Sequence, residues 1–207
     1  MCYNKGMDVL KSTDLVQVLQ KRLFPLERAE LLLDGLEGDQ PQAKRAAVLV
    51  AIFEQDGSPH LVFIRRARAL RAHSGEIAFP GGKVDPLDLS LEMTALRESQ
   101  EEIGLAPHLV QVLGVLEPVF TVVSNYLITP VVAYLPQGLG ALQLQRSEVA
   151  ELLLIPLRTL MEPHIAHTEQ WTRDGKARTV YFYTYGPDQI WGATGRILAQ
   201  LLHLLII

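Results

Sequence analysis

The sequence has one cysteine, Cys2, in 207 residues, so disulfide bonds within the chain are excluded. A single cysteine is typical of a reducing compartment, and the N-terminus lacks the basic-then-apolar pattern of a secretory signal, so we expect a cytoplasmic protein. No apolar run reaches the roughly 18 residues of a membrane span; the most apolar segment, 197–207, is interrupted by Gln200 and His203. The net charge is −4 without a basic block, which disfavours nucleic acid and anionic membranes as partners.

The remaining composition is that of an ordinary globular protein. Hydrophobic residues make up 48% of the chain and charged residues 20%, which is enough apolar material for a full core. A polar segment rich in glycine and proline at residues 37–43 divides the chain. We therefore predict an N-terminal helical extension, residues 1–43, and one core domain, residues 44–207.

Periodicity predicts strands and helices that alternate along the chain. The predicted strands are residues 46–53, 60–64, 110–119, 126–135, 165–172 and 177–185, with a loop or edge segment at 120–125 and a short turn at 148–151. The predicted helices are residues 15–23, 27–36, 86–103 and 191–207. Asp56-Gly57 and Asp174-Gly175 mark two hairpin turns. Together these elements predict an α/β fold with a mixed β-sheet.

The helix at 86–103 has clear start and stop signals. Asp85 is a suitable N-cap, and Pro86 fits the first helical position because its missing N–H costs nothing there. Gly104 is able to adopt the positive φ of a residue that ends a helix. The predicted helix therefore follows directly after a Pro-Gly-Gly turn at residues 80–82.

Carboxylates continue the apolar stripe of this helix. Leu87, Leu91 and Ala95 share one side, and that side runs on into three glutamates, Glu98, Glu101 and Glu102. Like charges at this spacing repel unless a cation neutralises them, and hard oxygen ligands suit Mg²⁺ or Mn²⁺. The alternative is a solvated acidic face. On the helical wheel Arg97 points to a different side, so it should neutralise little of this charge.

The residues at this point resemble a known family. Gly82 followed by Arg97-Glu98-x-x-Glu101-Glu102-x-Gly104 is similar to the signature box of the Nudix hydrolases. Asp88 stands where that box has a glutamate, and eight residues separate it from Arg97, one more than in the general box. The resemblance implies a mixed β-sheet sandwiched between α-helices.

A second motif lies upstream. Arg66-Ala67-x3-Arg71-x3-Gly75-x3-Phe79-Pro80-Gly81-Gly82 resembles the additional motif of the coenzyme A pyrophosphatase branch, which also has the longer box spacing. The resemblance implies metal-dependent hydrolysis of coenzyme A or a derivative to 4′-phosphopantetheine and adenosine 3′,5′-bisphosphate. The alternatives are a Nudix hydrolase of another nucleoside diphosphate compound, such as NADH, ADP-ribose or a dinucleoside polyphosphate, and a non-catalytic nucleotide-sensing Nudix module.

The site residues follow from the motifs. The proposed Mg²⁺ or Mn²⁺ ligands are Glu98, Glu101, Glu102 and the carbonyl of Gly82. The general base is Glu101 or Glu148, with a helix first-turn acid as the alternative for Glu148. The candidates for binding anionic substrate groups are Arg66, Arg71 and Lys83, which could instead stabilise their loop or be solvated. The residues that support the site are Arg97, Gly81 and Asp88, and the resemblance implies that Arg97 orients glutamates through an internal salt bridge.

Self-association stays open at this point. The apolar C-terminal helix could dock on the sheet or pair with a second chain in a homodimer. Aromatic residues between Tyr181 and Trp191 are expected to build core or a dimer contact rather than a base-stacking platform.

Overall fold

The computed structural model describes residues 12–37, 42–68, 73–173 and 175–206. The helices are α1 (Ser12–Arg22), α2 (Ala29–Glu37), α3 (Leu91–Ile103), α4 (Leu157–Leu160) and α5 (Gly192–Leu205). The strands are β1 (Lys44–Gln55), β2 (Ser58–Arg66), β3 (Ile77–Ala78), β4 (Gly81–Lys83), β5 (Gln111–Val115), β6 (Val119–Thr121), β7 (Tyr126–Leu135), β8 (Val149–Pro156), β9 (Ala166–Arg173), β10 (Lys176–Tyr185) and β11 (Asp188–Ile190).

Within these residues the strands form two sheets. The larger has eight strands, with β3-β2-β1-β7-β5 in order, β4 paired with β1, β6 with β7 and β8 with β2. β1 and β7 are parallel from Lys44 opposite Tyr126 to Phe53 opposite Leu135, whereas the other pairs are antiparallel. The smaller sheet is β11-β10-β9. The predicted mixed sheet is confirmed.

Helices cover both faces of the larger sheet. Val50 and Ile52 of β1 pack on one side in the cluster that contains α1 and α5, while Leu49 and Ala51 pack on the other side with α2 and α3. Because β1 is buried on both faces, its sequence is almost continuously apolar rather than alternating. The sandwich of helices around a mixed sheet is the fold that the resemblance implies, and it confirms the predicted α/β class.

The N-terminal and C-terminal helices share one core. Leu15 and Leu19 of α1 are fully buried in the same cluster as Leu198 and Leu201 of α5. α5 thus docks within its own chain, and its buried face is not available to a partner. Among the described residues, no helix is both long and apolar enough to cross a bilayer. Residues 1–11 and 38–41 of the predicted extension lie outside the described residues.

Both predicted hairpins are confirmed. Asp56 and Gly57 take φ values of 51° and 71°, as a two-residue turn requires, and connect β1 to β2. Arg173 lies opposite Lys176 where β9 meets β10, although Asp174 itself is outside the described residues.

The predicted start of the central helix is wrong. α3 begins at Leu91, because Ser90 is the N-cap and accepts a hydrogen bond from the Met93 amide at 3.1 Å. Asp85 instead forms a turn: its carboxylate accepts from the Leu87 amide and its carbonyl from the Asp88 amide, both at 2.9 Å. Leu87, predicted on the apolar stripe, is 83% exposed in this loop.

Two further predictions are corrected by strand pairing. The predicted strand 110–119 is interrupted, since β5 ends at Val115, and β6 spans Val119–Thr121, which overlaps the predicted loop or edge segment at 120–125. The predicted turn at 148–151 is largely β8, because buried Val149 pairs with Arg66 next to a bulge in β8, where Ala150 is the extra residue. Apolar content identified these segments, but the long-range partners decided their conformation.

Candidate active site

α3 carries its three glutamates in different environments. The side chains of Glu102 and Glu98 are 3% and 17% exposed, whereas that of Glu101 is 61% exposed. Gly104 ends the helix with φ 73° and donates its amide to the Gln100 carbonyl, as predicted. Two carboxylates are therefore enclosed against the sheet and the third lies at the rim.

Two glycines bring the backbone of β4 against the enclosed carboxylates. The Gly81 amide donates to Glu102 Oε2 at 2.9 Å, and a Cβ at Gly81 would collide with the backbone of β1. A Cβ at Gly82 would lie 2.5 Å from the carboxylate of Glu98. Only glycine fits at position 81, and a side chain at position 82 would have to displace the Glu98 carboxylate, which gives the Pro-Gly-Gly turn a steric explanation.

Burial disfavours the ionised forms of the two enclosed carboxylates, Glu98 and Glu102. It raises the pKa of Glu102 to about 7, although the Gly81 amide and Arg66 favour the charged form. Burial also raises the pKa of Glu98, against the opposing effect of Arg97. The charge of Glu148 raises the pKa of both Glu98 and Glu102, so Glu148 belongs to the same electrostatic cluster.

Arg97 links this cluster to the loop before α3. Its Nη1 lies 2.9 Å from Glu98 Oε1 and 3.3 Å from Glu101 Oε2. Its Nε and Nη2 donate to the two oxygens of Asp88 at 3.0 and 2.9 Å. The helical-wheel prediction that Arg97 neutralises little is therefore wrong, because a long side chain spans more than one helix face. The internal salt bridge that the resemblance implies is present.

Asp88 is the anchor of Arg97. Its side chain is 3% exposed and also accepts hydrogen bonds from Thr94 Oγ1 at 2.8 Å and from the Asp85 amide at 2.9 Å. The Arg97 hydrogen bonds, together with those two, hold the pKa of Asp88 well below its usual range against the effect of burial. Asp88 is thus fully engaged in holding the loop and Arg97.

The end of β2 and the start of β8 bring two more predicted residues to the glutamates. Arg66 Nη1 lies 3.8 Å from Glu102 Oε1, and within the described residues Arg66 Nε is buried without a hydrogen-bond partner. The Glu148 carbonyl accepts from the Ala67 amide at 2.8 Å, which fixes the exposed Glu148 beside Arg66. Residues far apart in sequence thus converge on one end of α3.

A scan of protein-family models matches residues 43–176, more than half of the chain, to the NUDIX domain. The chain belongs to the Nudix family. A Nudix hydrolase NudL of Photorhabdus laumondii, described as uncharacterized, is 42% identical over 158 residues, which cover 76% of this chain and 83% of that protein. A protein of the same description from Citrobacter koseri is 36% identical over 176 residues, which cover 85% and 90% of the two chains.

Solved structures resemble this Nudix chain more distantly. The MutT NUDIX hydrolase of Burkholderia pseudomallei has a TM-score of 0.47 at 20% identity, covering 76% of this chain and 98% of that one. A C. elegans Ap4A hydrolase has a TM-score of 0.47 at 21% identity, covering 55% and 80%.

Nudix hydrolases generally use divalent metal ions, and the donor set of this chain fits such an ion. Glu98 and Glu102 are oxygen donors whose ionised forms are disfavoured by burial, so a nearby cation would stabilise them. In the described part of the chain, however, no three histidine, cysteine, aspartate or glutamate side chains are already grouped closely enough to hold an ion. Arg97 and Arg66 instead supply the positive charge at this end of α3.

The predicted substrate residues differ in position. Arg66 lies in the cluster, whereas Arg71 is outside the described residues. The Lys83 side chain is exposed, and the Lys83 carbonyl accepts from Arg97 Nη2 at 3.1 Å. Of the two candidates within the described residues, the structure brings the Arg66 side chain to the glutamates.

An ion-pair network around Arg65 lies near the site and was not predicted from the sequence. Arg65 donates to both oxygens of Asp188, at 2.9 and 2.8 Å, and to Glu151 at 3.0 Å. It ties β11 and β8 to β2, next to Arg66. No sequence signal pairs Arg65 with a residue 123 positions away, since only the packing of the two sheets brings them together.

Proposed function

We propose that this chain hydrolyses the pyrophosphate bond of coenzyme A or a derivative, with Mg²⁺ or Mn²⁺ as cofactor. The observation that supports this proposal is the contact between Arg66, from the upstream motif, and Glu102, from the box. The ion pair between Arg66 Nη1 and Glu102 Oε1 is long, at 3.8 Å, and Arg66 Nε is buried without a hydrogen-bond partner among the described residues. It therefore has hydrogen-bonding capacity left for an anionic ligand beside the carboxylates.

The proposed metal ligands are the carboxylates of Glu98, Glu101 and Glu102 and the carbonyl of Gly82. A divalent ion supplies charge neutralisation at the pyrophosphate and lowers the pKa of a bound water. The Gly81 amide holds one oxygen of Glu102, and Arg97, anchored on Asp88, holds Glu98 and Glu101. Gly81, Arg97 and Asp88 accordingly position the ligands rather than contact the substrate.

Two glutamates are candidates for the general base. The reaction adds water to one phosphorus, breaks its bond to the bridging oxygen and transfers a proton from that water to a base. Glu101 is exposed but paired with Arg97, whereas Glu148 is exposed and its charge acts on both Glu98 and Glu102. These relations favour Glu148 as the base and leave Glu101 to the metal.

Substrate recognition rests on cations around this cluster. We propose that Arg66, Arg71 and Lys83 contact phosphates of the nucleotide, which is a small-molecule substrate. Among these, Arg66 is best supported, because it already lies against the glutamates.

A product assay tests the substrate class. The protein is incubated with coenzyme A and Mg²⁺ or Mn²⁺, in parallel with NADH, ADP-ribose and diadenosine polyphosphates, and the products are separated by chromatography. Release of adenosine 3′,5′-bisphosphate is expected. Glu98→Gln should reduce turnover by at least about 100-fold and still fold, because Glu98 is already a poorly stabilised buried charge.

The matched control is Glu92→Gln, which changes a glutamate in the first turn of the same helix and should leave turnover unchanged. Cleavage of another compound alone would retain the hydrolase chemistry and reject coenzyme A. Tight nucleotide binding without any cleavage would favour the nucleotide-sensing alternative over an enzyme.

Comparing Glu101→Gln with Glu148→Gln separates the metal ligand from the general base. Loss of the Glu101 carboxylate should weaken Mn²⁺ binding, and loss of the Glu148 carboxylate should lower kcat with little change in metal affinity.

A further inference from the structure

β9 is the open edge of the smaller sheet. In the order β11-β10-β9, β10 covers one side of β9, and no described strand covers the other. All eight residues of β9 are exposed, and the strand contains no proline. Such an edge offers a row of unpaired backbone groups to another strand, a feature that monomeric proteins usually block.

An aromatic patch extends from the outer face of the small sheet to this edge. We define it as His167, Trp171, Phe182 and Trp191. The rings of Phe182 and Trp191 are stacked at 6.2 Å, and His167 stacks on Phe182 at 4.9 Å. Trp171 lies 5.9 Å from Trp191 and is 46% exposed at the edge strand. The patch therefore ends in a large apolar side chain that is half open to solvent.

We propose that a second copy of this chain pairs antiparallel with β9 about a twofold axis at Trp171. The two small sheets then join into one six-stranded sheet, and the two Trp171 side chains face each other across the axis. This inference is independent of the proposed catalytic activity, because it rests on β9 and the aromatic patch alone.

Backbone geometry restricts the possible registers. Arg173 and Lys176 close a two-residue hairpin, so the odd-numbered residues of β9 direct their peptide groups towards β10 and the even-numbered ones direct theirs outward. In a symmetric pair, outward-directed residues must meet outward-directed residues. Each odd-numbered side chain, including Glu169, therefore lies opposite an odd-numbered side chain of the second copy.

Among the registers with an axis at Glu169, Gln170 or Trp171, charge complementarity favours the last. With the axis at Trp171, Glu169 of each copy lies opposite Arg173 of the other, so two ion pairs form. An axis at Glu169 would bring two carboxylates face to face. An axis at Gln170 would place Arg173 opposite His167 and leave Glu169 opposite Trp171.

The two charges are available for this pairing. The Arg173 side chain has no ion-pair or hydrogen-bond partner in the described part of the chain. Glu169 is held on the outer face by its own strand, since Trp171 Nε1 donates to Glu169 Oε2 at 2.6 Å and His167 Nε2 lies 3.6 Å from Glu169 Oε1. A carboxylate has further acceptor sites, so Glu169 is able to accept from an arginine of the second copy as well.

The resulting interface is small. One pair of short strands and one pair of tryptophans bury much less accessible surface than a standard protein–protein interface, which buries about 1,600 Å². We therefore expect a reversible dimer whose population depends on protein concentration.

A charge-swap experiment tests both the dimer and its register. Sedimentation velocity of the full chain from about 1 μM to about 500 μM gives the dimer dissociation constant. Arg173→Glu and Glu169→Arg should each weaken dimerisation at least about tenfold, because each change acts twice in a symmetric dimer. The double variant should recover the wild-type constant, since it restores both ion pairs in reverse.

Two exposed charges away from β9 provide matched controls. Arg158→Glu on α4 and Glu117→Arg between β5 and β6 change the charge equally and should leave the dissociation constant unaltered. A wild-type chain that stays monomeric throughout would overturn the proposal. A dimer that resists both single reversals would exclude β9 as its interface. Weakening in both single variants without recovery in the double variant would reject the pairing of Glu169 with Arg173.

Cross-linking gives a second measure of the register. In a Cys2→Ser background, the axis at Trp171 predicts that Trp171→Cys forms an intermolecular disulfide on mild oxidation, because the two Cβ atoms face each other. Gln170→Cys is the matched control and should cross-link poorly. The opposite order of efficiency would move the axis to Gln170.

Discussion

Replacing Asp88 with asparagine tests whether the loop before α3 is held by Arg97. Asp88 is almost fully buried and accepts two hydrogen bonds from Arg97, one from Thr94 and one from the Asp85 amide. Asparagine keeps the shape but removes the charge and replaces one acceptor with a donor. Arg97 then loses its bidentate partner while it remains beside Glu98 and Glu101.

The expected loss of unfolding free energy is about 2 kcal/mol, within the range for hydrogen bonds to charged groups. The loss is not larger, because Arg97 is about one-third exposed and regains water when the partner is removed. For a chain of this size the melting temperature should fall by about 4 to 8 °C.

The pH dependence provides a sharper test. The folded-state pKa of Asp88 lies well below its usual range, so its contribution to stability is fully present above the unfolded pKa of about 3.9 and is lost as pH falls towards the folded value. Between pH 6 and pH 3 the stability difference between wild type and Asp88→Asn should therefore shrink by about 1 kcal/mol.

Urea unfolding at several pH values measures this difference. Asp56→Asn is the matched control, because Asp56 is an exposed turn residue with positive φ that asparagine tolerates, and its effect should stay within about 0.5 kcal/mol. If Asp88→Asn destabilised by less than the control, or by the same amount at pH 3 and pH 6, an ionised Asp88 would not be holding the loop.

Three further predictions concern the glutamate cluster and the Arg65 network beside it. Glu102→Gln should stabilise the metal-free protein at pH 8 by about 2 kcal/mol. The folded-state pKa of Glu102 is raised to about 7, so wild-type stability falls as pH rises from the pKa of the unfolded chain to that value. Urea unfolding at pH 5 and pH 8 measures the effect, and equal stabilisation at both pH values would contradict the prediction. Gly82→Ala should displace the Glu98 carboxylate and weaken Mn²⁺ binding at least about tenfold by calorimetry, whereas Gly35→Ala, where the added Cβ has free space, should not. Asp188→Asn should lower the unfolding free energy by about 2 kcal/mol, since Arg65 loses its bidentate partner; a thermal melt unchanged from wild type would contradict this.

Local signals predicted the elements whose conformation depends on nearby residues. The Asp56-Gly57 turn, the bounds of β7 and the end of α3 at Gly104 all agree with the sequence analysis. The start of α3 could not be read in the same way. Asp85-Pro86 has the composition of a helix start, yet the burial of Asp88 by Arg97 and Thr94 favours a loop there and leaves Ser90 as the cap.

The sequence predicts the residue types of the candidate site but not their arrangement. The box predicts Glu98, Glu101 and Glu102 as candidates, and the upstream motif predicts Arg66, because each of these residues stands at the spacing of its motif. The distribution of burial among the three glutamates depends on how closely β4 approaches α3, which is set by tertiary packing at Gly81 and Gly82. The spacing of a motif contains no information on solvent exposure or on pKa.

The Nudix family, the α/β class and the residue types of the candidate site follow from the sequence, because composition, turn residues and motif spacing are local properties of the chain. The tertiary structure alone decided that Arg97 is shared between Asp88 and the glutamates, that Arg66 and Glu148 meet at Glu102, and that β9 is left as an open edge. These contacts join residues from separate strands and loops, and their free energies depend on burial and on partners that only the folded chain provides.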